Sequence, residues 1–145
     1  MEKNKVFVDT SVLISALLSS RGGSFYILTN LNEKFEIQIN QYVFEETLQV
    51  LNEKFSSQSQ LKDDFFLLLG LGQIDILPNP KQEKLKLTKE IINKKDAPIL
   101  VTALKESNYL LTLDKDFLNE EVTEFAEQKD LIVLKPKKLI QSFEE

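Results

Sequence analysis

Three apolar residues, Val6-Phe7-Val8, are followed at once by an acid and then by a helical apolar pattern. A run of three is too short for a helix and reads as a strand buried on both faces. Asp9 ends it. Thr10 and Ser11 then offer a hydroxyl cap, and Val12, Leu13, Ala16 and Leu17 recur at helical spacing. Residues 5–18 therefore read strand, acidic tip, helix. A strand buried on both sides needs helices over both faces of its sheet, which constrains everything downstream. Ligands of open parallel sheets bind just beyond the carboxyl ends of the strands, and Asp9 stands at that lip.

The same alternation continues. Residues 19–24 form a Gly/Ser loop containing Arg21, the only arginine, and Ser24 is placed to cap a short helix. Residues 35–39 alternate and are β-prone. Residues 42–55 place Val43, Phe44, Thr47, Leu48, Val50, Leu51 and Phe55 on one broad helical face. The pattern predicts a helix over 58–71 closed by Gly70 and Gly72, a strand over 74–77 stopped by Pro78 and Pro80, and a helix near 87–92. Asp96 looks like an N-cap, with Ala97 and Pro98 suited to a first turn. Residues 109–113 read as a strand followed by Asp114, 120–129 as a helix, 131–134 as a strand and 139–143 as a terminal turn or helix. No repeat or linker interrupts this order, so residues 1–145 are expected to form one domain. The expected architecture is a three-layer α/β/α sandwich around a largely parallel sheet of about five strands.

Composition removes whole classes of chemistry. The chain of 145 residues has no His, which excludes Ser-His-Asp triads, His general acid–base catalysis and His-ligated zinc. It has no Cys, so no thiolate site or disulfide exists, as suits a reducing cytoplasm. Any metal must be held by oxygens, which points to Mg²⁺ or Mn²⁺. No apolar run is long enough for a membrane span, and no signal-peptide core opens the chain. The net charge of −5, from 18 Lys+Arg against 23 Asp+Glu, argues against nucleic-acid binding through a bulk positive field.

The acids, however, are positioned to gather. Asp9 and Asp114 each follow a strand, and Asp96 opens the helix leading into the second of them. Asp116 lies two residues beyond Asp114, and Glu45 and Glu46 lie early in the helix after strand two. Two carboxylates about 4 Å apart repel by roughly 4 kcal/mol at an effective dielectric near 20. Such a cluster either protonates in part or takes a divalent cation. Helical period places Glu45 and Glu46 on opposite edges of the apolar face and does not choose between them.

Together, VDTSVLISALL, EETLQVL and DAPILVTALKESNYLLTLDKDF resemble a PIN domain, most closely the bacterial PIN proteins that act as toxins of toxin–antitoxin pairs. The likeness spans nearly the whole chain. It implies an Mg²⁺/Mn²⁺-dependent endoribonuclease with catalytic and metal-holding acids Asp9, Glu46, Asp96 and Asp114, and with Asp116 as a further acid that some members carry. The hydroxyl positions fall on Ser11 and Thr112. Thr10, Ser11 and Thr112 are then expected to orient the acids, and Arg21, Lys94 and Lys95 to meet RNA. The implied partners are RNA, an antitoxin that blocks or distorts the acidic cleft, and a second copy of the chain.

Plainer roles stand beside these. Asp9 and Asp96 are each suited to capping a helix, worth about 1 kcal/mol. Glu46 suits a solvated helix face and Asp116 a turn, while the lysines between 81 and 95 suit an ordinary solvated run. Two rival functions remain. A catalytically inactive PIN-like scaffold would keep the fold without cleavage. A phosphorelay receiver shares the length and class, and Thr112 and Lys135-Pro136 imitate its switch residues. But a receiver needs an acid after its third strand, where Pro78-Asn79 stand, and an acidic pair after its first, where only Asp9 is found. A haloacid-dehalogenase phosphatase is excluded because its second Asp would fall at Ser11.

Overall fold

The computed structural model describes residues 3–143. Five strands, β1 (Asn4–Val8), β2 (Phe35–Asn40), β3 (Asp75–Leu77), β4 (Tyr109–Leu111) and β5 (Ile132–Leu134), form one sheet in the order β3-β2-β1-β4-β5. Every pairing is parallel. The central strand is the one expected to be buried on both sides, and Val6, Phe7 and Val8 are each 0% exposed.

Strand order dictates the layers. The chain runs outward from β1 to β2 to β3 through α1 (Thr10–Leu18), α2 (Gly23–Asn30), α3 (Gln41–Lys54) and α4 (Gln60–Leu71). It then jumps to the other side of β1 for β4 and β5, by way of α5 (Ala97–Glu106), α6 (Lys115–Leu118) and α7 (Glu120–Gln128). Right-handed crossovers in opposite directions put the two groups on opposite faces. The helix contacts agree. α1 meets α2, α3 and α4, while α6 meets α7, and α8 (Pro136–Phe143) packs back on α2. Helices after β1 and after β4 therefore leave in opposite directions. The crevice between the carboxyl ends of β1 and β4 is the point where ligands of such sheets bind.

Several local details differ from the sequence reading. Ser24 lies inside α2, with Gly22 at the N-cap and no side-chain cap. The left-handed residue after α4 is Gln73, at φ 49°, and not Gly70 or Gly72. Gly72 is needed for space instead, since a Cβ there would sit 2.9 Å from the Leu28 carbonyl oxygen. The lysine-rich stretch forms a 3₁₀ helix over Gln82–Thr88 in place of an α-helix near 87–92. Its apolar residues are too sparse to bury a stripe: Leu87 is 68% exposed. The short helix α6 after Asp114 was not foreseen. Among the described residues, no single helix is long and apolar enough to cross a membrane.

A polar post ties the faces together. Asn40, at the end of β2 and fully buried, accepts from the Val43 N–H at 2.9 Å and so caps α3. Its amide donates to Thr102 Oγ1 at 2.9 Å and to the Pro98 carbonyl at 3.2 Å, both on α5.

Candidate active site

β1 and β4 run in a register that sets Val8 opposite Leu111, so Asp9 and Thr112 occupy the next rung together. The Asp9 N–H donates to the Leu111 carbonyl at 3.3 Å, continuing the ladder to the acid itself. Asp9 is also the N-cap of α1, with Oδ1 accepting from the Val12 N–H at 3.2 Å. The hydroxyls first read as caps do something else. Ser11 Oγ donates to Asp9 Oδ1, and Thr112 Oγ1 donates to Asp9 Oδ2.

Backbone groups lock the direction of those bonds. The Leu113 N–H donates to Ser11 Oγ at 3.0 Å, and the Asp114 N–H donates to Thr112 Oγ1 at 3.0 Å. Each hydroxyl thus accepts from the chain and must spend its proton on Asp9. Burial pushes the Asp9 carboxyl up, the bonds from Ser11, Thr112 and Val12 oppose that rise, Asp114 adds to it, and the group is left at about 6. The environment is a compromise between a dry site and donors that demand the ionised form.

Around Asp9 stand the other acids. Asp96, Asp114 and Asp116 each offer a carboxylate oxygen, and these lie within 4.8 Å of one another. Asp114 caps α6, accepting from the Asp116 N–H at 2.9 Å. Asp96 occupies the N-cap position of α5 but makes no side-chain cap bond, so its carboxylate is turned to other work. It is 6% exposed, and burial holds it above the usual carboxylate range. The bond from Asn93 opposes that rise, and the charges that add to it, Asp114, Glu46 and Asp116, are all negative. Asp9 and Glu46 lie outside the three-carboxylate group but couple to it, Asp9 through Asp114 and Glu46 through Asp96.

Of the paired glutamates, Glu46 is half-buried and accepts a hydrogen bond from Thr10 Oγ1, while Glu45 is exposed. The α3 face is fixed by Val43, Thr47 and Leu51, which are buried against the core. Asp9 and Glu46, with the Thr10 and Ser11 hydroxyls of α1 and the Thr112 hydroxyl after β4, are thereby drawn to the lip. Lys94 and Lys95 are exposed immediately before Asp96. Arg21 is exposed in the turn after α1, at the end of that helix remote from Asp9.

Two further residues, Asn93 and Tyr42, belong to the site. Asn93 donates to Asp96 Oδ2 at 2.8 Å and to Asp116 Oδ2 at 3.3 Å, and its Oδ1 accepts from the Asp96 N–H at 2.9 Å. The legible signal was an Asn three residues before a helix-opening Asp, the spacing of a side-chain cap. Tyr42 donates its hydroxyl to the Lys95 carbonyl at 2.6 Å; burial raises its pKa, with Glu46 and Asp96 adding to the rise. Nothing in the sequence joins positions 42 and 95.

An open parallel α/β sheet with carboxylates gathered at its switch point defines a class of site whose donors are all oxygens, the kind that hard cations take. The PIN domain family model matches residues 6–120, and the chain belongs to that family. Solved structures share the fold. VapBC2 from Rickettsia felis bound to a DNA fragment from its promoter aligns at a TM-score of 0.64 and 19% identity, over 89% of this chain and 96% of that one. PAE2754 from Pyrobaculum aerophilum aligns at 0.64 and 18% identity, over 95% and 88%. FitAB bound to an IR36 DNA fragment aligns at 0.56 and 20% identity, over 90% and 94%. No curated protein sequence matches the chain.

Proposed function

We propose that this single-domain protein is an Mg²⁺- or Mn²⁺-dependent endoribonuclease, the toxin of a toxin–antitoxin pair. The observation that carries the reading is the convergence of Asp96, Asp114 and Asp116 from two separate segments, with the Asp96 carboxyl raised chiefly by burial and further by its anionic neighbours. Carboxylates this close repel one another, and a divalent cation offsets that repulsion. The donor set is all carboxylate, which fits a hard divalent cation and no softer one. Membership of the PIN family, and neighbours named as VapBC and FitAB assemblies, support the nuclease and toxin parts of the reading.

In this reading Asp96, Asp114 and Asp9 hold the cation, Asp116 adds a fourth carboxylate, and Glu46 completes the set directly or through water. Mg²⁺ or Mn²⁺ supplies Lewis acidity and an acidified water at the phosphodiester. The chain supplies the rest. Ser11 and Thr112 keep Asp9 aimed and ionised, and Thr10 does the same for Glu46. Lys94 and Lys95 meet phosphates of the RNA beside Asp96. Arg21 serves a strand that extends past the far end of α1. An antitoxin would act by covering the acidic lip.

The test is RNA cleavage with Mn²⁺ or Mg²⁺ and with EDTA, by the parent and by Asp9→Asn and Asp114→Asn. Cleavage by the parent that is lost in EDTA, and reduced at least 100-fold in both variants, is the expected result. Equal cleavage by parent and variants means the activity belongs elsewhere.

A further inference from the structure

We infer that Asn93 is a positioning residue of the acidic site: a neutral clamp that sets the spacing of Asp96 and Asp116 and so raises the site's affinity for a divalent cation. The inference rests on the metal-dependent reading above and adds a residue to it.

The geometry is specific. One amide nitrogen reaches two carboxylates, Asp96 Oδ2 at 2.8 Å and Asp116 Oδ2 at 3.3 Å. The amide oxygen is engaged as well, accepting from the Asp96 N–H at 2.9 Å, so the group cannot flip without breaking bonds at both ends. Asp96 begins α5 and Asp116 lies in α6, on segments separated by a helix and a strand. Among the described residues, the bond from Asn93 to Asp116 is the one side-chain hydrogen bond that joins these two segments.

The residue type matters. A lysine at 93 would also bridge the carboxylates, but it would cancel charge that the cation needs. An aspartate would add a third anion to a pair already in repulsion. An amide gathers both and leaves their charge intact. Removing such an outer partner costs metal sites about 10–100-fold in affinity.

The experiment is calorimetric titration of Mn²⁺ into parent, Asn93→Ala and Asn93→Asp proteins, with thermal unfolding of each in EDTA. Asn93→Ala is expected to bind Mn²⁺ about tenfold or more weakly while still folded at the titration temperature. Asn93→Asp keeps the acceptor for the Asp96 N–H and replaces the donor with a third anion. It is expected to unfold at a lower temperature than the parent in EDTA and to gain more from Mn²⁺ than the parent does. A purely structural Asn93 would lower the unfolding temperature of Asn93→Ala and leave Mn²⁺ affinity unchanged, which overturns the inference. So does an Asn93→Asp protein that melts and binds as the parent does. A parent that takes up no Mn²⁺ removes the metal reading itself and this inference with it; a parent that binds, beside an unaffected Asn93→Ala, removes this inference alone.

Discussion

At Asp9 two forces act against each other on one carboxyl group. Burial favours the neutral form, and three donors favour the ionised form; burial wins, leaving the group at about 6. A carboxyl raised in the fold above its ordinary 3.8 is most comfortable below that value. Its penalty grows as pH rises and is complete above about 6, where a shift of this size corresponds to about 3 kcal/mol. The cation-free protein should therefore lose stability from this group between pH 4 and 6. Asp9→Asn sets an amide NH2 against one of the two locked hydroxyls, so its clean signature is the pH dependence: relative to the parent in EDTA it should gain up to about 3 kcal/mol between pH 4 and pH 8. Chemical denaturation at both pH values measures this. Proton and cation also compete for the same oxygens, so Mn²⁺ affinity should fall as pH drops below about 6, read by titration calorimetry. Thr112→Val removes one donor that pulls the group down. It should move that fall in affinity to higher pH, leaving the β4–β5 pairing intact because the Thr112 N–H still bonds the Leu134 carbonyl at 3.1 Å.

Among the elements, the two that hold the lip are anchored by single polar contacts. Asn40 caps α3 and binds α5 from the end of β2. Asn40→Ala deletes a cap worth about 1 kcal/mol and leaves buried partners unpaired for about 1–3 kcal/mol more. A loss of about 2–4 kcal/mol in urea unfolding is expected, with weaker Mn²⁺ uptake because Glu46 rides on α3 and Asp96 opens α5. At the end of α4, an Ala at Gly72 would press its Cβ against the Leu28 carbonyl at 2.9 Å and the Leu68 carbonyl at 3.2 Å. Backbone does not yield as a side chain tip does, so Gly72→Ala should cost about 1–3 kcal/mol without altering the acidic lip. Unchanged Mn²⁺ affinity in that variant separates fold from site.

For the molecule as a whole, the charge of −5 means that the RNA of the proposed function would have to be held locally. If Lys94 and Lys95 make the phosphate contacts, the slope of log affinity against log salt for single-stranded RNA should be on the order of −1.4, at about −0.7 per contact. Lys94→Ala should flatten it by about half. Binding measured with Asp114→Asn, the variant proposed to lose cleavage, at several salt concentrations gives the slope, and a much steeper one would mean a larger basic surface than these two lysines.

The sequence by itself determined the class of fold and put forward the acids of the candidate site. Short apolar runs that end in acids, alternating with helical periods, admit little besides a parallel sheet covered on both faces, because only covered sheets make strands that are apolar on both sides. The absence of His and Cys settled that only oxygen ligands were on offer. Tertiary structure decided what periodicity does not encode. Strand order placed β4 beside β1 and so put Asp9 and Asp114 at one crevice. Packing of Val43, Thr47 and Leu51 turned α3 to offer Glu46 and not Glu45. The lysine-rich stretch became a 3₁₀ segment because it had no apolar stripe to bury, and that carried Asn93 to two carboxylates at once. Local patterns report what each segment prefers alone; which side chains meet depends on contacts between residues 23 to 103 positions apart, and those exist only once the layers have closed.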